Sequence, residues 1–229
     1  GIANLSANTT SFGCGDVGSV NPVTLTVTDN IGNTDTCNAL VTVEDNVSPA
    51  SVCQDITVQL DGSGNATITA SDIDNGSSDA CGIAGLSLDN TTFNCGNVAG
   101  NAVTLTVTDN NGNSSTCTAN VSIEDSVAPV AVCQDLTVQL DAAGNGSITT
   151  ADVDNGSSDN CAISGLSLDV TSFDCSDAGS NTVTLTVIDV NNNTSTCTAQ
   201  VTVEDNVAPV ASCQNVTVQL DAQGAGTIT

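Results

Sequence analysis

The feature that most constrains this chain is its self-similarity, in which the same text returns at one fixed spacing. Cys53, Cys133 and Cys213 set that spacing, and it is repeated by Cys81 and Cys161, by Cys95 and Cys175, and by Cys37, Cys117 and Cys197. The apolar text moves with the cysteines. VTLTVTDN at 23–30 returns at 103–110 and as VTLTVIDV at 183–190, and VEDNVSP at 43–49 returns as IEDSVAP and VEDNVAP. A fixed period of this kind signals an array of like units. The register divides the chain into a partial repeat at 1–48, complete repeats at 49–128 and 129–208, and a partial repeat at 209–229. The narrow alphabet and the absence of Met lead us to expect a segment of something longer.

Inside a unit the hydrophobic period is two. Ile56, Val58 and Leu60 share one face of ITVQL, and Val103, Leu105 and Val107 point inward from VTLTV while Thr104 and Thr106 point outward. Cys117, Ala119, Val121 and Ile123 share a face in the next run. ATIT at 66–69, GLSLD at 85–89 and TTFN at 91–94 are shorter strand candidates, and DNNGN at 109–113 is a hairpin signal. No segment reads as an amphipathic helix. Six or seven short strands split by Gly, Asn and Asp turns predict an all-β fold of tandem immunoglobulin-like β-sandwich repeats, disulfide-stapled and stacked into an elongated rod.

The 229 residues carry 11 cysteines, no His and no CxxC spacing. Zinc therefore fits poorly, and disulfides in an oxidising compartment fit well. Four cysteines per unit allow three pairings. The favoured one joins Cys53 to Cys117 and Cys133 to Cys197, the start of a unit to its last strand. It also closes short staples, Cys81–Cys95 and Cys161–Cys175. Cys37–Cys53, across a unit boundary, is the competing idea. On the favoured register Cys14 and Cys37 seek partners before residue 1 and Cys213 seeks one after residue 229, so the odd count needs no reactive thiol.

Composition narrows the function classes. There are 26 acidic residues and no Lys or Arg, for a formal net charge of −26. Nucleic acid and anionic membranes need a basic face and are poor partners, and no apolar run is long enough for direct membrane insertion. There is no His base, Lys nucleophile, Arg clamp or Tyr acid, and no free Cys is expected, so the chain does not read as an enzyme. A two-carboxylate glycosidase remains formally open, but the acids recur in every unit as structural positions do.

The unit PVAVCQDLTVQLDAAGNGSITTADVDNGSSDNC, followed by VTLTVIDV, TCTAQ and VEDNVAP, resembles the HYR-like, immunoglobulin-like repeats of very large secreted proteins of gliding Bacteroidetes. The resemblance covers the whole chain, with Asn215 standing where Asp55 and Asp135 stand. It implies a cell-surface adhesin of a Gram-negative bacterium, exported by the type IX system and held at the outer membrane. It also favours pairing the first cysteine of a unit with the last.

Calcium is the site hypothesis. DIDNGSSD at 72–79 returns as DVDNGSSD at 152–159, rich in the oxygen ligands calcium takes, though not in EF-hand spacing. An immunoglobulin-like topology would bring the loop with Asp72, Asp74 and Asp79 and the turn at Asp109 to the end where the chain enters. Glu44, Asp45 and Asn46 of the preceding unit arrive there too. The next junction would gather Glu124, Asp125, Asp152, Asp154, Asp159 and Asp189. Like charges collected without a cation are costly. The plainer reading is that these Asp and Asn residues cap turns. The expected partners are neighbouring repeats, other copies laterally, and a glycan or surface ligand if the chain is a binding module. Asp125-Ser126-Val127 resembles the O-glycosylation signal of Bacteroidetes at Ser126, and short Thr rows such as Thr104 and Thr106 read as strand alternation.

Overall fold

The computed structural model describes residues 1–228. The chain is all-β apart from single helical turns, and it divides into two compact units. One contains Gly1–Ala128 together with Asp159–Ala162, and the other contains Pro129–Ser158 and Ile163–Thr229.

The first unit begins with an antiparallel sheet of β1 (Ile2–Ala7), β2 (Val20–Asp29) and β3 (Thr34–Thr42). A β-sandwich follows. It is built from β4 (Ile56–Gln59), β5 (Asn65–Thr67), the one-turn helix α1 (Ala70–Ile73), β6 (Ile83–Leu88), β7 (Thr92–Asn94), β8 (Ala99–Asp109) and β9 (Ser114–Glu124). One sheet has the order β4-β9-β8-β6, with β4 parallel to β9, and the other pairs β5 with β7. The alternating pattern decides which residues face inward. Val103, Leu105 and Val107 of β8 and Val121 and Ile123 of β9 are almost wholly buried, and they meet Ala66, Ile68, Ile73 and Phe93 from the other side. Phe93 supplies the bulk that Trp or Tyr often gives such a core.

The helical turn α1 was not expected from the sequence. Its first turn is closed by Asp72, whose carboxylate accepts from the Thr69 amide and hydroxyl, both at 2.7 Å. So short a helix cannot display a helical period, so only this capping pair, Thr69 with Asp72, could have signalled it.

The second unit repeats the plan with β10 (Leu136–Gln139), β11 (Asn145–Ser147), α2 (Thr150–Val153), β12 (Ile163–Leu168), β13 (Ser172–Asp174), β14 (Gly179–Asp189) and β15 (Thr194–Glu204). Its sheets are β10-β15-β14-β12 and β11-β13, around a core that includes Val153, Phe173, Val183, Leu185, Val187 and Val201.

The disulfides correct part of the expected pairing. Cys53 is bonded to Cys117 and Cys133 to Cys197, so the first strand of each sandwich is tied to its last. The short staples Cys81–Cys95 and Cys161–Cys175 do not form. Cys81 is bonded to Cys14, Cys95 is bonded to Cys161, and Cys37, Cys175 and Cys213 are free. Cys14 thus finds its partner in this chain, not before residue 1.

Geometry explains why Cys81 and Cys95 cannot meet. β6 and β7 run between them and belong to different sheets. Cys81 lies at the end where Ile83 faces Asp109 and Asn110 Nδ2 donates to the Cys81 carbonyl at 2.7 Å. Cys95 lies near the other end, just before β8 starts at Ala99. β8 is 11 residues long, about 36 Å of extended chain, whereas a disulfide needs Cα atoms within about 7 Å.

Candidate functional site

The acid-rich loop after α1 lies beside the segment that enters the sandwich. Ala50 pairs with Ser78 and Cys53 with Asp74 as isolated bridges, and the Val52 amide donates to the Ser77 hydroxyl at 3.0 Å. The hairpin turn after β8 reaches the exit of the preceding repeat, where Asn113 Nδ2 donates to the Asp45 carbonyl at 3.0 Å. Loop, turn and exit therefore share one end of the sandwich.

Most of the acids there are engaged in shaping their own turns. Asp109 is only 1% exposed. Its carboxylate takes the Asn111 and Asn113 amides and Asn113 Nδ2, each at 2.8 Å. Burial pushes its carboxyl up, but the Asn113 side chain and the backbone amides of the turn outweigh it and hold the group below the ordinary carboxylate value. Asp72 is held low by the amide and hydroxyl of Thr69. Asp74 accepts from the Ser77 amide, and in the second unit Asp154 does the same with Ser157 and Asp152 with Thr149. Asp189, fully buried, closes its own turn through Asn191 and Asn193.

Of the candidate calcium ligands in the first unit, the structure places carboxylate oxygens of Asp45 and Asp79 within 4.8 Å of each other, beside Cys81. The sulfur is committed to Cys14, so the carboxylates are the ligands on offer. Asp125 and Asp159 form a like pair in the same unit. Such pairs can hold a cation between them, with the remaining oxygens calcium needs supplied by backbone and water. Asp79 and Asp159 have a second task, since they accept from the Cys81 and Cys161 amides and fix the backbone leading into each cysteine. Glu124 is turned to Gln59, Asn46 donates to Glu44, and exposed Ser126 donates to the Gln59 side-chain carbonyl at 2.9 Å.

The element that sequence reasoning missed is the seat of the Cys95–Cys161 bond. Residues 159–162 pack in the first unit although they come from the next sequence repeat. Asn160 Nδ2 donates to the Asp61 carbonyl at 3.1 Å and to the Asp125 carboxylate at 3.2 Å. Cys161 packs on the first core cluster. The seat is prepared by the DGSGN turn, where the Asp61 carboxylate takes the Ser63 and Asn65 amides and Gly64 adopts φ +74°. The available signal was the cysteine arithmetic: pairing across repeats gives Cys14 a partner within the chain.

No helix among the described residues is long and apolar enough to cross a membrane. No protein-family model matches the chain, and no curated protein matches it in sequence. Among solved structures it is similar to protocadherin gamma B7 extracellular cadherin domains 1–4, with 13% identity over 82% of this chain and 58% of that one and a TM-score of 0.35. An I-band fragment from titin matches with 12% identity over 82% of this chain and 75% of that one, at a TM-score of 0.41. Protocadherin gamma C5 EC1-3 matches with 11% identity, 82% and 78% coverage and a TM-score of 0.38. The chain spans little more than half of the protocadherin gamma B7 structure.

Proposed function

We propose that this chain is a non-enzymatic structural segment of an extracellular, surface-attached adhesin or filament. The observation that carries the reading is the disulfide framework, which recurs with the repeat and needs an oxidising compartment to form. Composition agrees: there is no His base, Lys nucleophile, Arg clamp or Tyr acid, and without Lys or Arg there is no trypsin site. Sandwiches repeated at a constant interval suit a rod that spaces an adhesive element from a cell or forms the filament itself. The resemblance to HYR-like repeats supports placing that cell among gliding Bacteroidetes, with export by the type IX system and attachment at the outer membrane. Calcium bound through Asp45 and Asp79 belongs to the same reading.

A bead-adhesion assay and a glycan array with this segment alone test it. A spacer gives no retention on either. Specific, saturable binding of the isolated segment overturns the spacer role and assigns a ligand-binding module instead.

A further inference from the structure

The four disulfides form an overlapping series: Cys14–Cys81, Cys53–Cys117, Cys95–Cys161 and Cys133–Cys197. Each loop opens before the previous one closes. Every peptide bond from Cys14 to Cys197 is therefore spanned by at least one disulfide. The links between repeats are included. The bond after Glu44 lies inside the Cys14–Cys81 loop, and the bond after Glu124 lies inside the Cys95–Cys161 loop. Had Cys81 paired with Cys95, and Cys161 with Cys175, nothing would span either link.

We propose that this chain is a scission-tolerant tether, in which successive repeats are joined by two independent covalent tracks. One track is the backbone link, continued by the disulfide that ties first strand to last. The other runs through the staples Cys14–Cys81 and Cys95–Cys161 by way of residues 81–95. The two tracks share no bond, so hydrolysis of one peptide bond, or reduction of one disulfide, leaves the series unbroken. The second track also limits stretching. Residues 81–95 reach about 50 Å when fully extended, against about 280 Å for a whole repeat, so unfolding a repeat adds little length while its staples hold. This goes beyond the spacer reading and does not depend on it, because it concerns connectivity and not adhesion.

The sequence supplies its own test. Its three Glu residues are Glu44, Glu124 and Glu204, and all three are exposed. The Glu124 and Glu204 carbonyls accept the Leu60 and Leu140 amides, so a Glu-specific endopeptidase is applied in urea with the disulfides intact, where it should cut at both links and once beyond Cys197. The free thiols of Cys37, Cys175 and Cys213 are first blocked with N-ethylmaleimide to prevent exchange. The digest is then read by mass spectrometry with and without reductant. The expected result without reductant is residues 205–229 released and residues 1–204 retained as one species carrying two added waters. Reductant should resolve that species into 1–44, 45–124 and 125–204. Release of 205–229 proves that the protease acted. Free 45–124 without reductant would overturn the proposal. In Cys95→Ser/Cys161→Ser the same digest should free 125–204 and leave 1–124 joined, and retention of 125–204 there would also overturn it. If that variant fails to fold, the wild-type digest alone decides.

Discussion

Gly64 stands directly against Cys95. A Cβ at Gly64 would lie 2.7 Å from Cys95 Sγ and 2.9 Å from the Asn160 carbonyl oxygen. The sulfur is bonded to Cys161 and cannot swing aside. The backbone at Gly64 also has φ +74°, where a side chain is strained whatever the space. Gly64→Ala should therefore cost about 1–3 kcal/mol and slow closure of the Cys95–Cys161 bond. Thermal melts and a timed count of free thiols during oxidative refolding measure both. An unchanged melting temperature with normal closure would contradict this account of the seat.

Ala99 presents the opposite case. It opens β8 with φ +132°, in the region that favours glycine, and Gly179 occupies the matching place in the next repeat with φ +115°. Ala99→Gly should relieve the strain and stabilise the first unit by about 1 kcal/mol. The check is a melting temperature that rises by a few degrees, with Gly179→Ala lowering it in parallel.

The strands of both sandwiches were legible because β8 and β14 alternate cleanly: Val103, Leu105 and Val107, and Val183, Leu185 and Val187, leave one face to the core. Cys117 and Cys197 lie in strands read the same way. The linkage of Cys81 and Cys95 was not legible, because the two strand candidates between them do not reveal that β6 and β7 run in different sheets and carry the cysteines apart. The acids were legible as turn formers, as Asp109 shows. Which of them could also hold a cation was less so, because a carboxylate bound to its own amides has the same sequence signature as one free to take an ion.

Calcium gives a direct test of the Asp45–Asp79 pair. If the two carboxylates share a cation, the bound ion stabilises the folded state by linkage. Excess calcium should raise the melting temperature, a chelator should reverse the rise, Asp45→Asn/Asp79→Asn should reduce the difference, and adding Asp125→Asn/Asp159→Asn should abolish it. Identical curves with calcium and with chelator would remove calcium from the reading.

Acid should destabilise the sandwiches, and the direction follows from the turns. The hydrogen bonds that Asn65 and Ser63 give Asp61, that Thr69 gives Asp72, and that Asn145 and Ala143 give Asp141 hold these carboxyls below the ordinary value of 3.8. Asp109 is held low as well, its turn outweighing its burial. A group depressed in the folded state contributes stability that is complete above its unfolded value and is lost as pH falls through its folded value. Stability should thus hold down to about pH 4 and fall below it, as these carboxylates take up protons and release the amides they bind. The chain has no His, so no imidazole titrates near neutrality. Melts at matched ionic strength between pH 3 and pH 7, with the disulfides intact, check the sign. A melting temperature that climbs as pH drops below 4 would mean that relief of charge repulsion outweighs the turns.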